Sequence, residues 1–151
     1  MNSSILDKLK YFCSYQDRCH AEVKAKLSRL RVWGSEADEI MAALITEDYL
    51  NEERYARSFV RGKFRMKQWG RNKIVQALKQ KQVSEYCIRK GLEEIEDEEY
   101  IQTLKKLASG KYQSLKNEQY LRRRFKATQY LMAKGYEPDL IHQILKGITG
   151  K

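Results

Sequence analysis

Residues 49–61 read YLNEERYARSFVR, and this stretch has the apolar spacing of an amphipathic α-helix. At 100° per residue, one side of a helix continued to residue 66 collects the apolar positions Tyr55, Ala56, Phe59, Val60 and Met66. The opposite side carries four arginines and no acidic residue: Arg54, Arg57, Arg61 and Arg65. Because guanidinium groups pair well with phosphates and carboxylates, this stripe predicts an anionic partner. A purely solubilising face is the alternative.

The helical spacing returns along the chain as an internal repeat. Apolar i, i+4 pairs stand at equivalent positions in three segments: Val23 with Leu27, Ile74 with Leu78, and Ala127 with Leu131. Each is followed by one apolar residue and a second pair: Val32, Ile40 and Leu44; Val83, Ile88 and Leu92; Tyr136, Ile141 and Leu145. With one amphipathic segment before each first pair, this gives three three-helix repeats, at residues 1–48, 49–95 and 96–151. A repeat of this kind cannot close its own core and must stack on its neighbours. We therefore predict an all-α, elongated and curved solenoid-like body.

Helix-end signals agree with this division. The predicted N-caps, each followed by an acidic residue, are Ser35, Asn51, Ser84 and Asp97. Gly135 fits the C-terminal end of one helix, and Pro138 fits the first turn of the last one. Strands have little support, because period-two alternation flanked by turn dipeptides is missing.

The net charge of +10 is distributed unevenly along the chain. Residues 1–50 carry −1, residues 51–92 carry +9, residues 93–99 carry −6 and residues 100–151 carry +8. Two basic blocks separated by an acidic segment suit attraction to nucleic acid or to an acidic protein surface.

The second basic block contains the cluster RRRFK at residues 122–126. On a helix, its apolar side would be Leu121, Phe125, Thr128, Leu131 and Met132. Its outer face would be Arg122, Arg123, Lys126, Tyr130 and Lys134, where an aromatic ring among cations favours anion binding over a plain solvent face. Over both blocks, the candidate contact residues are Arg54, Arg57, Arg61, Lys63, Arg65, Lys67, Arg71, Lys73, Arg122, Arg123, Lys126, Tyr130 and Lys134.

The composition argues against export and membrane insertion. No run approaches the ~18 to 20 apolar residues that span a bilayer, and the first residues lack the basic-then-apolar order of a signal peptide. We therefore expect a cytoplasmic protein. The chain has an odd number of cysteines: Cys13, Cys19 and Cys87. This predicts reduced thiols that fill apolar space.

Catalytic chemistry finds little support in the residues. His20 and His142 are the two histidines, and neither stands in a nucleophile motif, a Gly-rich phosphate loop or a metal-spaced motif. A zinc site built from Cys13, Cys19 and His20 would have a spacing that matches no standard pattern. We therefore expect no enzyme activity, no cofactor and no metal.

Three stretches resemble the RecX family of bacterial regulators of the RecA recombinase: residues 49–60, residues 70–74 (GRNKI) and residues 17–27 (DRCHAEVKAKL). The resemblance covers nearly the whole chain and implies three tandem three-helix repeats, in agreement with the periodicity. Arg31 and Gln82 depart from the family pattern, because they replace a glycine that Gly135 retains. Cys19 stands where the family usually has serine, and an insertion begins at Trp33.

The resemblance also implies a function. A protein of this family is expected to lodge in the helical groove of the RecA filament on DNA, without catalysis, and to limit its assembly, ATP hydrolysis, strand exchange and co-protease role in the SOS response. We expect it to be a monomer. A second class of function stays open: a stand-alone helical-repeat protein that binds single- or double-stranded DNA. Its contacts would be to phosphates, because the arginine stripe lacks the Asn, Gln or short polar side chains of base reading.

Overall fold

The computed structural model describes residues 3–150, and this part of the chain contains nine α-helices and no strand. The helices are α1 Ser3–Tyr15, α2 His20–Arg29, α3 Gly34–Thr46, α4 Glu52–Lys67, α5 Arg71–Gln80, α6 Glu85–Leu92, α7 Asp97–Ser114, α8 Tyr120–Ala133 and α9 Pro138–Thr149. The prediction of an all-α fold is confirmed, and the last helix begins at the predicted proline. Within the described residues, no helix is both long enough and apolar enough to cross a membrane.

The repeated apolar pairs face the interior. Both members of each first pair, on α2, α5 and α8, are buried. The second pairs, on α3, α6 and α9, are also buried except for Leu92, which is half-buried. Apolar residues at this spacing stay in step with the helical period, so one face of each helix is held in a core. The helical repeat is thereby confirmed, while the boundaries of the three repeats stay a prediction.

The turn that follows α2, α5 and α8 has the same backbone geometry in all three places. Arg31, Gln82 and Gly135 have φ angles of 61°, 62° and 101°, in the left-handed region. In each turn the next amide bonds to the carbonyl of the second buried residue of the pair: Val32 to Leu27, Val83 to Leu78, and Tyr136 to Leu131. Gly135 ends α8 as predicted. Because only glycine adopts this geometry without strain, the two departures from the family pattern keep the turn at an energetic cost.

Two of the four predicted N-caps are confirmed. The side chains of Asn51 and Ser84 accept hydrogen bonds from amides in the first turns of α4 and α6, at 3.0 and 3.2 Å. The other two are wrong: Ser35 lies inside α3, whose N-cap is Trp33, and Asp97 is already the first residue of α7. Neither true cap makes a side-chain capping bond, so packing rather than cap chemistry sets these two helix starts.

The chain divides into two compact units, and the first contains Met1–Phe59 together with Leu78–Leu92. Here α1, α2 and α3 pack on one another around Leu9, Val23, Leu27, Ile40 and Leu44. On α6, a Cβ atom at Gly91 would lie 3.0 Å from the carbonyl oxygen of Ala56 on α4. The small residue therefore allows these two helices to approach closely.

The second unit contains Val60–Ala77 together with Glu93–Lys151. Its helices α7, α8 and α9 pack on one another. Three aromatic rings follow each other in its core: Phe64 lies 5.8 Å from Tyr100, and Tyr100 lies 5.1 Å from Tyr136, measured between ring centroids. These distances are in the range of favourable aromatic contacts.

Two of the predicted apolar faces are partly wrong. The residues that were expected to be buried but are exposed are Met66 on α4 (84%) and Leu121 (78%), Phe125 (61%) and Met132 (47%) on α8. The buried face of α8 is narrow and consists of Ala127 and Leu131, a sector that points roughly 100° away from the exposed residues. Periodicity groups the apolar residues of a helix, but it does not show which of them a neighbouring element covers.

Candidate functional site

Arg54, the first arginine of the predicted stripe, is occupied by acids of its own unit. Its Nε donates to Asp17 at 2.8 Å and its Nη1 to Asp48 at 3.1 Å, while Nη2 bonds to the carbonyl oxygens of Asp48 and Tyr49. The hydrogen bond with Asp17 is the main reason that the pKa of this guanidinium is raised. Arg54 thus fixes the segments before α2 and α4 rather than pointing freely into solvent.

The next two arginines of the stripe are also paired. Arg57 Nε donates to Glu53 at 3.2 Å, and Arg61 Nη1 donates to Glu94 at 2.8 Å. Arg65 is exposed, and within residues 3–150 its side chain makes no hydrogen bond or ion pair. The expectation of a stripe without acids is therefore wrong. Its acids come from one turn earlier in the helix, from the loop just before it, and from two loops that lie 37 and 33 positions away. Helical spacing alone does not reveal these partners.

Arg71, at the start of α5, is built into the second unit. Its Nη1 donates to Glu137 at 3.0 Å, its Nη2 donates to Asp97 at 2.7 Å, and its guanidinium lies 3.9 Å from the centroid of the Tyr100 ring. The Tyr100 hydroxyl donates to Glu137 and accepts the Arg71 amide at 2.9 Å. Burial, followed by the bond to Glu137, raises the pKa of Tyr100 far above its usual 10.0. The contacts of Arg71 therefore stabilise the second unit.

The arginine cluster on α8 is also largely paired. Glu118 accepts a hydrogen bond from Lys126 and lies 3.5 Å from the Nε of Arg122. The bond from Lys126 lowers the pKa of Glu118. Arg123 donates to the carbonyl oxygen of Tyr112 at 2.8 Å, and its guanidinium lies 3.7 Å from the centroid of that ring. Arg122, whose side chain is 68% exposed, keeps most of its donors in solvent.

Other predicted residues meet where α4 ends and α5 begins. The ammonium groups of Lys63 and Lys73 lie 4.9 and 4.6 Å from the ring centroid of Trp69. Lys134, the residue after α8, donates through Nζ to the carbonyl oxygen of Lys67 at 3.1 Å. A lysine at this position satisfies a free carbonyl at the helix C-terminus and complements its dipole. Residues from the two basic blocks are thereby brought together within the second unit.

A pocket of about 390 Å³ opens beside this junction. Its lining includes Gln68 from the end of α4, Lys106 and Lys111 from α7, and Tyr130 from α8. Lys111 Nζ lies 4.8 Å from the centroid of the Tyr130 ring. We call this the basic pocket. The two α7 lysines were missed as candidates, and the signal for them in the sequence was only the net charge of residues 100–151.

The junction and the basic pocket are cationic because several of their side chains have no acidic partner. Within residues 3–150, ion pairs are absent for Arg65, Lys67, Lys73, Lys106 and Lys111. The Lys134 ammonium bonds to a backbone carbonyl, which leaves its charge uncompensated. Unpaired cations beside Trp69 and Tyr130 can hold phosphate or carboxylate groups by charge and hydrogen bonds.

Metal ligation finds no support in the part of the chain that the structure describes. No group of three His, Cys, Asp or Glu side chains there could hold a metal ion. His20 is the first residue of α2 and is half-buried, with its Nδ1 3.7 Å from Glu52. The Nδ1 of His142 lies 3.1 Å from the Nη2 of Arg124.

The cysteine side chains are free thiols. Cys13 and Cys19 are buried, as predicted for apolar filler, while Cys87 is half-buried. Burial raises the pKa of the Cys13 and Cys19 thiols, which keeps them protonated and weakly nucleophilic.

The fold and the site together define an all-α helical-repeat protein with a cationic pocket. Two family models match the chain: "RecX, second three-helix domain" over residues 51–92 and "RecX, third three-helix domain" over residues 97–145. Together these matches span more than half of the sequence. The chain belongs to the RecX family.

Curated relatives that carry the name "Regulatory protein RecX" are similar over most of this chain. The protein from Clostridium perfringens (strain 13 / Type A) is 33% identical over 138 residues, which are 88% of this chain and 64% of the relative. The protein from Oceanobacillus iheyensis is 30% identical over 136 residues, which are 90% of this chain and 50% of the relative. The chain thus spans about half to two thirds of the length of these relatives.

Solved structures show the same fold. The crystal structure of RecX from Lactobacillus salivarius superposes with a TM-score of 0.89 at 26% identity, covering 99% of this chain and 97% of that one. A second crystal structure, of a regulatory protein RecX, gives a TM-score of 0.86 at 25% identity, covering 95% of this chain and 72% of that one.

Proposed function

We propose that this protein regulates the RecA recombinase by binding in the groove of the RecA–DNA filament. Bound there, it limits filament growth, ATP hydrolysis, strand exchange and SOS co-protease activity. Membership of a family whose curated members are named regulatory proteins supports this role. The proposal includes action as a cytoplasmic monomer, by binding and without catalysis.

The observation that carries the proposal is the α8 stripe, which we define as the exposed residues Leu121, Phe125 and Met132. They are spaced by four and seven residues and therefore share one side of the helix. Fully burying such a side chain is worth about 1.5 to 3 kcal/mol, and exposed apolar patches mark interaction sites. A protein partner gains this free energy by covering the stripe. A phosphate backbone gains little from it, so the stripe favours a protein partner over bare DNA.

The charges near the α8 stripe favour an acidic partner surface. Arg122 on the same helix is largely exposed, and the basic pocket of the same unit carries further unpaired cations. Like-charged surfaces are repelled and acidic ones attracted, which speeds association and selects partners. A surface that combines apolar and acidic side chains therefore fits best.

Stand-alone DNA binding is the second candidate function, and the basic pocket favours it. Its unpaired lysines and the neighbouring Trp69 and Tyr130 can hold a phosphate backbone. Binding of that kind weakens steeply with salt, whereas an interface with apolar anchors persists better. The two candidates differ, therefore, in their salt dependence and in their need for RecA.

Co-sedimentation with RecA filaments on single-stranded DNA, with the RecA ATPase followed in parallel, tests the proposal. We expect the wild-type protein to sediment with the filaments and to lower the ATPase rate. The double variant Leu121→Ser with Phe125→Ser should lose both effects while its circular dichroism stays helical, because both side chains are exposed. Met66→Ser removes an equally exposed apolar side chain from α4 and is the matched control, which should act like wild type.

Two outcomes would count against this proposal. Binding of the wild type to bare DNA with no effect on the filament ATPase would support the second candidate instead. Full inhibition by the Leu121 and Phe125 double variant would remove the α8 stripe from the interface.

A further inference from the structure

A groove of about 820 Å³ follows α1 in the first unit, and aromatic rings shape it. Tyr11 and Tyr15 lie one helical turn apart and are 73% and 74% exposed, with the half-buried Phe12 beside them. Within the described residues, no aliphatic side chain lines this groove. The large apolar side chains of the described lining are therefore all aromatic, which suits a ligand with flat π-faces better than a peptide with aliphatic anchors.

Arg18 is held rigidly at this groove. Its Nε donates to the carbonyl oxygen of Phe12 at 2.9 Å, and its guanidinium lies 3.7 Å from the centroid of the Phe12 ring. The two terminal nitrogens of Arg18 have no partner among residues 3–150. Because the side chain is already ordered, it can donate to a phosphate with little further loss of conformational entropy.

Two lysines make the groove positive. Lys8 is exposed on α1, and Lys26 Nζ on α2 lies 5.6 Å from the centroid of the Phe12 ring. Among the lining residues between positions 3 and 150, these lysines and Arg18 face one carboxylate, Asp7, and the other polar side chains are serines. Residues 1–50 carry a net charge of −1. The groove is therefore locally positive although the segment around it has no excess of basic residues.

We propose that this α1 groove binds single-stranded nucleic acid, with bases stacked on Tyr11 and Tyr15 and a phosphate held by Arg18. Bases within a duplex are stacked on one another and cannot offer their faces to the two rings, so the ligand is the single strand. Every base has a π-face that can stack on a tyrosine ring, so this mode of binding tolerates any sequence. Within residues 3–150, the site shares no lining residue with the basic pocket that favours the second candidate function, and it needs no recombinase, so it goes beyond both candidate functions.

The test is binding of a fluorescently labelled oligothymidylate of about 16 nucleotides, followed by anisotropy over a salt series. We expect wild-type affinity to fall with salt and to exceed that for a duplex of equal length. Tyr11→Ala with Tyr15→Ala should weaken binding about tenfold or more, whereas Tyr11→Phe with Tyr15→Phe keeps the rings and stays within about twofold. Arg18→Gln should reduce the slope of log affinity against log salt concentration by the amount expected for about one phosphate contact.

Tyr86 provides a matched control in the same unit. It is an exposed tyrosine on α6, with Arg89 and Lys90 5.9 and 5.6 Å from its ring centroid, but it lies outside the groove. Tyr86→Ala should bind the oligonucleotide as wild type does. Unchanged binding by the Tyr11 and Tyr15 alanine variant, an equal loss with Tyr86→Ala, or equal affinity for single strand and duplex would each overturn the proposal. None of these readouts involves RecA, so they stand apart from the test of the regulatory role.

Discussion

The carbonyl group of Gly135 leaves no room for a Cβ atom on Gly70. Such an atom would clash with this carbonyl and would lie 2.5 Å from the backbone nitrogen of Tyr136, far inside van der Waals contact. The Gly70 amide also donates to the carbonyl oxygen of Lys134 at 2.8 Å, so the start of α5 is bonded directly to the turn after α8. Gly70 is two residues from Gln68, which lines the basic pocket, so this contact lies beside the pocket.

Gly70→Ala should therefore destabilise the protein by about 2 kcal/mol or more, because backbone atoms rather than a flexible side chain must move. Gly110→Ala is the matched control, since no atom lies within 4 Å of a Cβ at that position in α7. It should stabilise the helix by about 0.5 to 1 kcal/mol. Urea unfolding monitored by circular dichroism measures both. Equal stability of the two variants would contradict the close approach at Gly70.

Arg54 and Arg65 offer a second comparison, on one helix. Arg54→Ala should cost about 1 to 2 kcal/mol, because it leaves Asp17, Asp48 and two carbonyl oxygens without their donor, although partial exposure weakens each bond. Arg65→Ala should change stability by less than about 0.5 kcal/mol. Thermal melts of the two variants test whether Arg54 stabilises the fold. Equal and negligible changes in melting temperature would refute this role.

The contrast between these two arginines marks what the sequence could and could not predict. The buried pairs of α2, α5 and α8 were predictable, because their spacing is a local property of one helix. The partners of Arg54 were not, because Asp17 lies 37 positions away and reaches it only through packing. The predicted buried face of α8 was partly wrong for a related reason. The sequence shows that Leu121 and Phe125 share a side of the helix, but not that α7 and α9 leave that side exposed.

The basic pocket and the contact between Lys134 and Lys67 at the neighbouring junction were predicted only in part, for a similar reason. Lys134 and Lys67 were both candidates, but their contact depends on the turn at Gly70 and Gly135, which no local pattern places. Lys106 and Lys111 lie on α7, whose sequence contains no run of arginines that would have indicated a binding site. The sequence shows which blocks are basic, whereas the tertiary fold determines which of their cations have no acidic partner.

Three buried phenols predict a loss of stability in alkaline solution. Burial raises the pKa of Tyr55, Tyr100 and Tyr136 well above the usual 10.0. Below pH 10 these groups are neutral in the folded and the unfolded chain, and their contribution is complete. Above pH 10 they ionise first in the unfolded chain, which lowers its free energy, so stability should fall as pH rises.

Urea unfolding on both sides of pH 10, with the near-ultraviolet absorbance of tyrosinate, measures this effect. Three of the ten tyrosines should ionise only as the helical signal is lost. Ionisation of all ten while the circular dichroism is unchanged would contradict the burial of these three phenols.

The thiols give a prediction about labelling. Cys87 is half-buried and should react with a thiol reagent before the buried Cys13 and Cys19, whose raised pKa values slow them further. Denaturant should make all three react alike. A chelator should leave the melting temperature unchanged, because the thiols act as packing groups. Rapid labelling of all three in the native protein, or unfolding by the chelator, would show that this assignment is wrong.

Substitutions at the left-handed turns of Arg31 and Gln82 offer a way to raise the stability of this protein. Both side chains are exposed, and neither lines the α1 groove or the basic pocket. A glycine at either position relieves backbone strain, which should add a few tenths to about 1 kcal/mol after the entropy of the freer unfolded chain is counted. Such a background would keep variants with weakened junctions or reversed surface charges folded, so their binding could be measured without the confusion of partial unfolding.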